Sequence, residues 1–276
     1  MASRVVAFAW GAAADAALRS QVLQQPGFAV LIISHTAQDE TARMDTCAAE
    51  RGFQVLLSDD DTEIGTRVQD FRPTLLVSLS YRRKIKNKLL ELAPHRLNFH
   101  PSLLPKHRGC FSGFHTILEG DVETGVTCHR MTANFDDGAI VHKEAIPVPE
   151  EATSKSLYQA LLPVTARCFE AVLQMVVADA LPEGTPQDQS EAVYHHRNLP
   201  FGGEVDANWP EDRVERFIRA MYFPPFEGAH MRVGSTKMLI HNLEDFRRCR
   251  QLVVDGAAAS EVLAPSSSCA AAGLTG

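Results

Sequence analysis

The chain has 276 residues, 45% of them hydrophobic and 22% charged, enough for one sizeable α/β domain with a small appendage. Its formal net charge of −7 argues against the basic face that nucleic-acid binding needs, while leaving room for an anionic ligand held by a few local cations. No continuous apolar run reaches the roughly 20 residues that span a bilayer, and the six cysteines are scattered without a Cys-x-x-Cys pair. The expectation is therefore a reduced, cytoplasmic protein with no structural zinc and no membrane span.

The opening MASRVVAFAWGAAA has a single Arg4 and no convincing cleavage site, so it reads as a first buried strand and not as a signal peptide. Residues 4–10, 28–35, 53–57 and 74–80 form Val-, Leu- and Ile-rich runs without polar alternation, as strands do when helices cover both sheet faces. Helix-like stretches at 14–23, 41–51 and 64–71 separate them, and this order predicts a largely parallel sheet with right-handed crossovers. A fifth strand at 96–100 leads into Pro101-Ser-Leu-Leu-Pro105, at the strand end where open α/β sheets place their ligand crevice. Strands are expected at 123–132 and 139–148, with a loop at 133–138 between them. A long helix follows at 154–180, which Pro163 should kink or split. Residues 181–190 (LPEGTPQDQS) read as a linker. A small second unit at 191–246 should hold one helix at 211–221 and strands at 229–233 and 237–243. The Ala-, Ser- and Gly-rich stretch 255–276 is expected to be disordered. The resulting division is 1–182, 191–250 and the tail.

Chemistry concentrates in Leu97-Asn-Phe-His-Pro-Ser-Leu-Leu-Pro-Lys-His-Arg-Gly109 and in Phe135-Asp-Asp-Gly138. Two apart on a strand, Asn98 and His100 point to one face, and the later loop can bring a carboxylate beside them. An amide, an imidazole and a carboxylate suit acyl transfer, supplying an oxyanion donor, a proton carrier and an orienting charge. Lys106, His107 and Arg108 read most simply as a solvated basic run. The adjacent His195 and His196 suggest a metal at first sight, but on a strand they would face opposite sides, which argues against one, and His115, His129 and His142 have no partner at a recognisable spacing.

These motifs resemble the folate-dependent formyltransferases, which act on glycinamide ribonucleotide, methionyl-tRNA or amino sugars. The family pattern is Asn-x-His at a strand end, then Ser-Leu-Leu-Pro, then an Asp-x-Gly loop. Asn98, His100, Ser102 to Pro105 and Asp136 with Gly138 match it, within a resemblance spanning about residues 70–245. The resemblance implies a Rossmann-like α/β fold with helices on both faces of the sheet and a small C-terminal α+β subdomain. It implies catalysis by Asn98, His100 and Asp136, with Asp136 favouring protonated His100, and 10-formyltetrahydrofolate as co-substrate without a metal. Ser80, Tyr81, Arg82, Leu104 and Phe135 would line the folate pocket. The turn at 10–13 lacks the Gly-x-Gly-x-x-Gly of dinucleotide binders.

Two stretches follow, 201–209 and 217–228, and the second resembles the helix and Pro-rich turn shared by the sugar and methionyl-tRNA enzymes, a part that glycinamide ribonucleotide transformylases lack. The expected acceptor is the amine of a nucleotide-linked amino sugar, with Ser102, Lys106, Arg108, Trp209 and Phe223 as candidate substrate contacts and a homodimer as a compatible assembly. The alternatives are an amino-acid-type amine such as hydroxyornithine, methionyl-tRNA, a formyl-folate hydrolase, or a non-catalytic folate-binding regulator.

Overall fold

In the computed structural model, which describes residues 3–40 and 42–256, the apolar runs become strands β1 (Ser3–Ala9), β2 (Phe28–Ser34), β3 (Gln54–Leu57), β4 (Leu75–Leu79) and β5 (His95–His100). Helices α1 (Gly11–Leu18), α2 (Met44–Arg51), α3 (Asp61–Phe71) and the single turn α4 (Asn87–Leu90) alternate with them. The two-residue strand β6 (Arg108–Gly109), helix α5 (Ser112–Glu119), strands β7 (Glu123–Arg130) and β8 (Ile140–Pro147), helix α6 (Ser154–Val177) and strand β9 (Tyr194–His195) follow. The main sheet runs β3-β2-β1-β4-β5-β7-β8. Its first five members are mutually parallel, while β7 and β8 are antiparallel to their neighbours.

The absence of polar alternation in β1 has a direct cause. Val6 and Phe8 join one buried cluster with Leu31, Ile33, Leu76 and the inner residues of α3 and α4, while Val5, Ala7 and Ala9 are equally buried on the opposite face. Asp60 caps α3 by accepting the Thr62 and Glu63 N–H groups, each at 2.8 Å, and Gly52 ends α2 in the left-handed conformation. On the other face α6 packs on α1, β7 and β8. Helix α6 is long and apolar enough by length and composition to cross a membrane, and its inner residues Leu157, Leu161, Cys168, Phe169, Val172 and Leu173 are buried in this fold.

Several boundaries differ from the sequence expectation. Helix α1 stops at Leu18 and a 3₁₀ turn covers Gln21–Gln24, where the sequence suggested one helix at 14–23. Pro163 does not split α6, because Pro163 and Gln159 both lie on the exposed side, where water can meet the carbonyl that proline leaves without a donor. Helices α4 and α5 were not anticipated.

The expected linker is fastened to the first unit. Thr185 and Ile140 exchange backbone hydrogen bonds of 2.9 and 2.8 Å, Gln187 is buried, and β9 pairs in parallel with β6. The first unit accordingly extends to Arg197, and the second begins at Asn198.

The second unit contains helix α7 (Glu211–Met221), the hairpin β10 (His230–Val233) and β11 (Thr236–Leu239), and helix α8 (Leu243–Val254). The strand expected at 237–243 is shorter, since Asn242 accepts the Asp245 N–H at 2.9 Å and starts α8. Of the tail expected at 255–276, only Asp255, which closes α8, and Gly256 lie among the described residues.

Phe169 is fully buried on α6, with its ring edge-on to Phe99 at 5.3 Å. Phe169→Ala should therefore destabilise the chain by about 3–5 kcal/mol, read as a lowered urea midpoint at unchanged slope. A loss below about 1 kcal/mol would place Phe169 outside the core.

Candidate active site

Strand β5 places its residues by alternation. Leu97 and Phe99 enter the core, while Asn98 and His100 project to the other face. The antiparallel register pairs Asn98 with His129 and His100 with Thr127 across to β7, so His129 stands directly beside Asn98. The loop after β7 then carries Asp136 into the same point.

Asp136 is buried, and its carboxylate gathers the group. Oδ1 accepts from Asn98 Nδ2 at 3.1 Å and lies 3.3 Å from His129 Nε2. Oδ2 accepts the Gly109 N–H at 2.8 Å and lies 3.4 Å from His100 Nδ1. Asn98 Nδ2 also reaches His129 Nε2 at 3.0 Å, and His100 Nε2 donates to the His107 carbonyl at 2.7 Å. Asp137, the other candidate in the Asp-Asp-Gly run, faces the loop and accepts Asn134 Nδ2 at 2.8 Å.

Asp136 adopts a left-handed φ of 54°, and Gly138 runs so close to the Arg130 carbonyl that any Cβ there would overlap it. Gln187 fixes the loop from behind. Its Nε2 donates to the Asp136 and Gly138 carbonyls, both at 2.8 Å, and its Oε1 accepts from Arg108 Nε at 3.0 Å and Nη2 at 2.7 Å.

Burial would raise the Asp136 pKa, but the facing His100 and His129 and the Gly109 N–H outweigh it and hold the carboxyl well below the usual range. His100 is depressed, because its complete burial outweighs the pull of Asp136 and the His107 carbonyl. Asp136 thus acts on His100 in the expected direction, favouring the imidazolium, but desolvation favours the neutral ring more strongly.

The other expected contacts divide. Ser102 is buried, with Oγ donating to the Lys106 carbonyl at 2.8 Å, and its own carbonyl accepts the Thr127 hydroxyl at 2.7 Å. Leu104 is buried, its N–H donating to Thr127 Oγ1 at 3.1 Å and its carbonyl accepting from Lys143. The expected solvated basic run is corrected at two of three positions. Only Lys106 is exposed, paired with Asp121 at 3.1 Å. His107 is buried, and the Arg108 guanidinium is buried on Gln187 and Gln189. Arg108 is therefore turned away from a solvent-borne ligand, because the amide oxygens of buried Gln187 and exposed Gln189 occupy three of its nitrogens.

Ser80 is exposed with φ 55° after β4, Tyr81 stacks on His35 with ring centroids 4.4 Å apart, and Arg82 lies over Trp10 at 4.5 Å. Phe135 is half exposed, with the Lys84 ammonium 5.3 Å from its ring centroid. In the second unit, Trp209 packs edge-on to Phe201 and Phe217 at 5.0 and 5.1 Å, and Phe223 lies 6.0 Å from Phe226.

Residue types alone missed His129, Gln187 and a second histidine group. His107 Nε2 pairs with Asp121 at 2.7 Å and Nδ1 with His195 Nε2 at 2.9 Å, and the His195 ring stacks on His115 at 3.4 Å. His115 and His195 are each pushed down to about 4, first by burial and then by neighbouring histidines. A β7 register would have found His129, but the Gln187 and His195 contacts join segments about 50 to 90 residues apart, without any local pattern.

A family profile described as "Formyl transferase" matches residues 15–173. GDP-perosamine N-formyltransferase of Brucella melitensis is 38% identical over 181 residues, covering 64% of this chain and 68% of the relative. The N-formyltransferase of Helicobacter canadensis, solved with folinic acid and dTDP-3-aminofucose, superposes with a TM-score of 0.70 at 20% identity, covering 86% of each chain. Glycinamide ribonucleotide transformylase 1 of Symbiobacterium toebii gives 0.57 at 25% identity, covering 65% of this chain and 89% of its own.

The depressed histidines set a pH dependence of stability. A group with a folded pKa below its unfolded value loses stability as pH falls, because the unfolded chain takes protons that the folded chain refuses. Unfolding free energy should fall from about pH 6.5, the ordinary histidine value, towards about pH 4. The contribution of Asp136 should be lost only at more acidic pH. Chemical denaturation at pH 7 and pH 5 checks this, and equal midpoints would contradict the burial argument.

Proposed function

The chain belongs to the formyl transferase family, and from that premise we propose that it moves the formyl group of 10-formyltetrahydrofolate to the amine of a nucleotide-linked amino sugar. The observation that carries this reading is the buried convergence of Asn98, His100, His129 and Asp136 at the end of β5. The acceptor class rests on the Brucella relative, whose named substrate is GDP-perosamine, and on the chain's extension beyond the part shared with the glycinamide ribonucleotide enzyme.

The formyl carbonyl is the electrophile, and a neutral amine attacks it. The new C–N bond pushes the carbonyl π electrons onto oxygen, and collapse of the tetrahedral centre expels the folate nitrogen. Asn98 offers the oxyanion donor. Both of its amide protons are engaged in the free enzyme, at 3.0 and 3.1 Å, so the substrate displaces one of these contacts.

An Asp136 carboxyl held far below the usual range is a weak base. We assign the amine proton to the His100–Asp136 pair, in which the His100 Nε2–H is fixed on the His107 carbonyl and Nδ1 lies 3.4 Å from the carboxylate. Asp136 then pairs with the imidazolium as it forms. Lys106, exposed beside this loop, is the cation we assign to the nucleotide diphosphate.

The test supplies 10-formyltetrahydrofolate with GDP-, dTDP- and UDP-linked amino sugars, amino acids and hydroxyornithine, following tetrahydrofolate and formate. A nucleotide amino sugar should be formylated. Turnover of only a non-nucleotide amine would overturn the acceptor, and formate release unaffected by any amine would overturn transfer. Asn98→Ala should cost about 10²–10³-fold in kcat, as loss of one oxyanion donor does. His100→Ala and Asp136→Ala should each leave less than about a tenth of turnover.

A further inference from the structure

Behind the catalytic cluster, on the far side of the His107 peptide, lies a group of side chains that the proposed reaction does not use. We propose that His107, His195 and Glu119 form a site for a divalent transition-metal ion of the zinc class. One ligand atom from each lies within 4.8 Å of the others. Two imidazoles and a carboxylate are a zinc-type donor set that leaves a fourth position for water.

The detail that separates this group from a chance cluster is how His107 is held. Its Nε2 donates to Asp121 Oδ2 at 2.7 Å, and Asp121 is itself fixed by Lys106 at 3.1 Å on the other oxygen. That bond sets the tautomer, leaving the Nδ1 lone pair directed at His195, in the carboxylate–histidine arrangement that orients metal ligands. His195 is aligned in turn by its stack on His115, with the rings 4° from parallel. The parallel rings send their in-plane lone pairs along separate lines, so His115 serves as a platform and not as a fourth ligand.

His107 Nδ1 and His195 Nε2 are 2.9 Å apart, close enough to share a proton. Two nitrogens on a tetrahedral zinc, at about 2.0–2.1 Å each, stand roughly 3.3 Å apart. The metal therefore replaces that proton after an opening of a few tenths of an ångström. Glu119 is exposed at the end of α5, its carboxylate oxygens 4.0 Å from His107 Nε2 and from His115 Nδ1, and it must turn towards the pair to join it. The backbone holds the two histidines in place, since β9 pairs with β6 and the Cys110 N–H donates to the His195 carbonyl at 3.0 Å.

The test is independent of formyl transfer. The full-length, tag-free chain, stripped with chelator, is titrated with zinc chloride in a calorimeter and with cobalt chloride in a spectrophotometer. One zinc per chain is expected, with cobalt absorption in the visible and no thiolate charge-transfer band. His195→Ala and Glu119→Gln, both outside the core, should weaken binding at least tenfold. Asp121→Asn should weaken it by about 10–100-fold through the lost orientation of His107. Circular dichroism establishes that each variant is folded. Absence of saturable binding, binding unchanged in His195→Ala and Glu119→Gln, or a thiolate band would each overturn the site.

Discussion

A single buried carboxylate organises this end of the molecule. An ionised carboxyl taken out of water is tolerable only when hydrogen bonds and opposite charge replace its hydration. Asp136 accepts the Gly109 N–H and the Asn98 amide, one on each oxygen, and lies 3.4 and 3.3 Å from the edges of the His100 and His129 rings. Each of these neighbours constrains a different part of the chain. Gly109 must sit on β6, Asn98 on β5 and His129 on β7, so the carboxylate fixes the relative placement of segments that the sheet alone would leave adjustable. The left-handed φ of Asp136 and the close approach at Gly138 follow from bringing the carboxylate inward while the backbone turns back to β8.

The same requirement reaches further along the chain through Gln187. This amide uses two donors on loop carbonyls and two acceptor directions on Arg108, so its hydrogen-bonding capacity is filled. Arg108 in turn finds amide oxygens on three of its nitrogens. A stretch that composition marks as a linker thereby becomes a buttress of the Asp136 loop. A cation that sequence places at the surface becomes part of the interior. Leaving either partner unmatched would strand buried polar groups, at about 1–3 kcal/mol or more each.

What was legible in the sequence follows the range of the interactions involved. Uninterrupted apolar runs announced β1, β2 and β4, because burial on both faces is written into consecutive residues. The two-residue period of β5 was enough to set Asn98 and His100 on one face, while the choice of Asp136 over Asp137 came from the resemblance to the family's Asp-x-Gly loop. By contrast, His129 looked isolated because its partner Asn98 lies 31 residues away, across an antiparallel register that no local pattern specifies. The His107–His195 pair, 88 residues apart, was hidden for the same reason, and also because β9 is only two residues long. Pro163 misled in the opposite sense: the local rule was sound, but solvent at an exposed helix face relieves the cost that the rule assumes.

The motif residues themselves fall into two physical kinds. Asn98, His100 and Asp136 present functional groups to one another at the strand end, where a reacting centre can meet them. Ser102 and Leu104 belong to the same recognisable run, yet their polar groups close on Thr127, Lys106 and Lys143 inside the loop. Thr127 donates to the carbonyl of Ser102 and accepts from the N–H of Leu104, and it sits opposite His100 in the β5–β7 register. The loop is thereby tied to the strand that also carries His129. Ser-Leu-Leu-Pro is thus read most directly as the brace that holds the His107 carbonyl where His100 can donate to it. That carbonyl selects the imidazole tautomer, so a motif with no reactive group of its own decides which nitrogen faces the carboxylate.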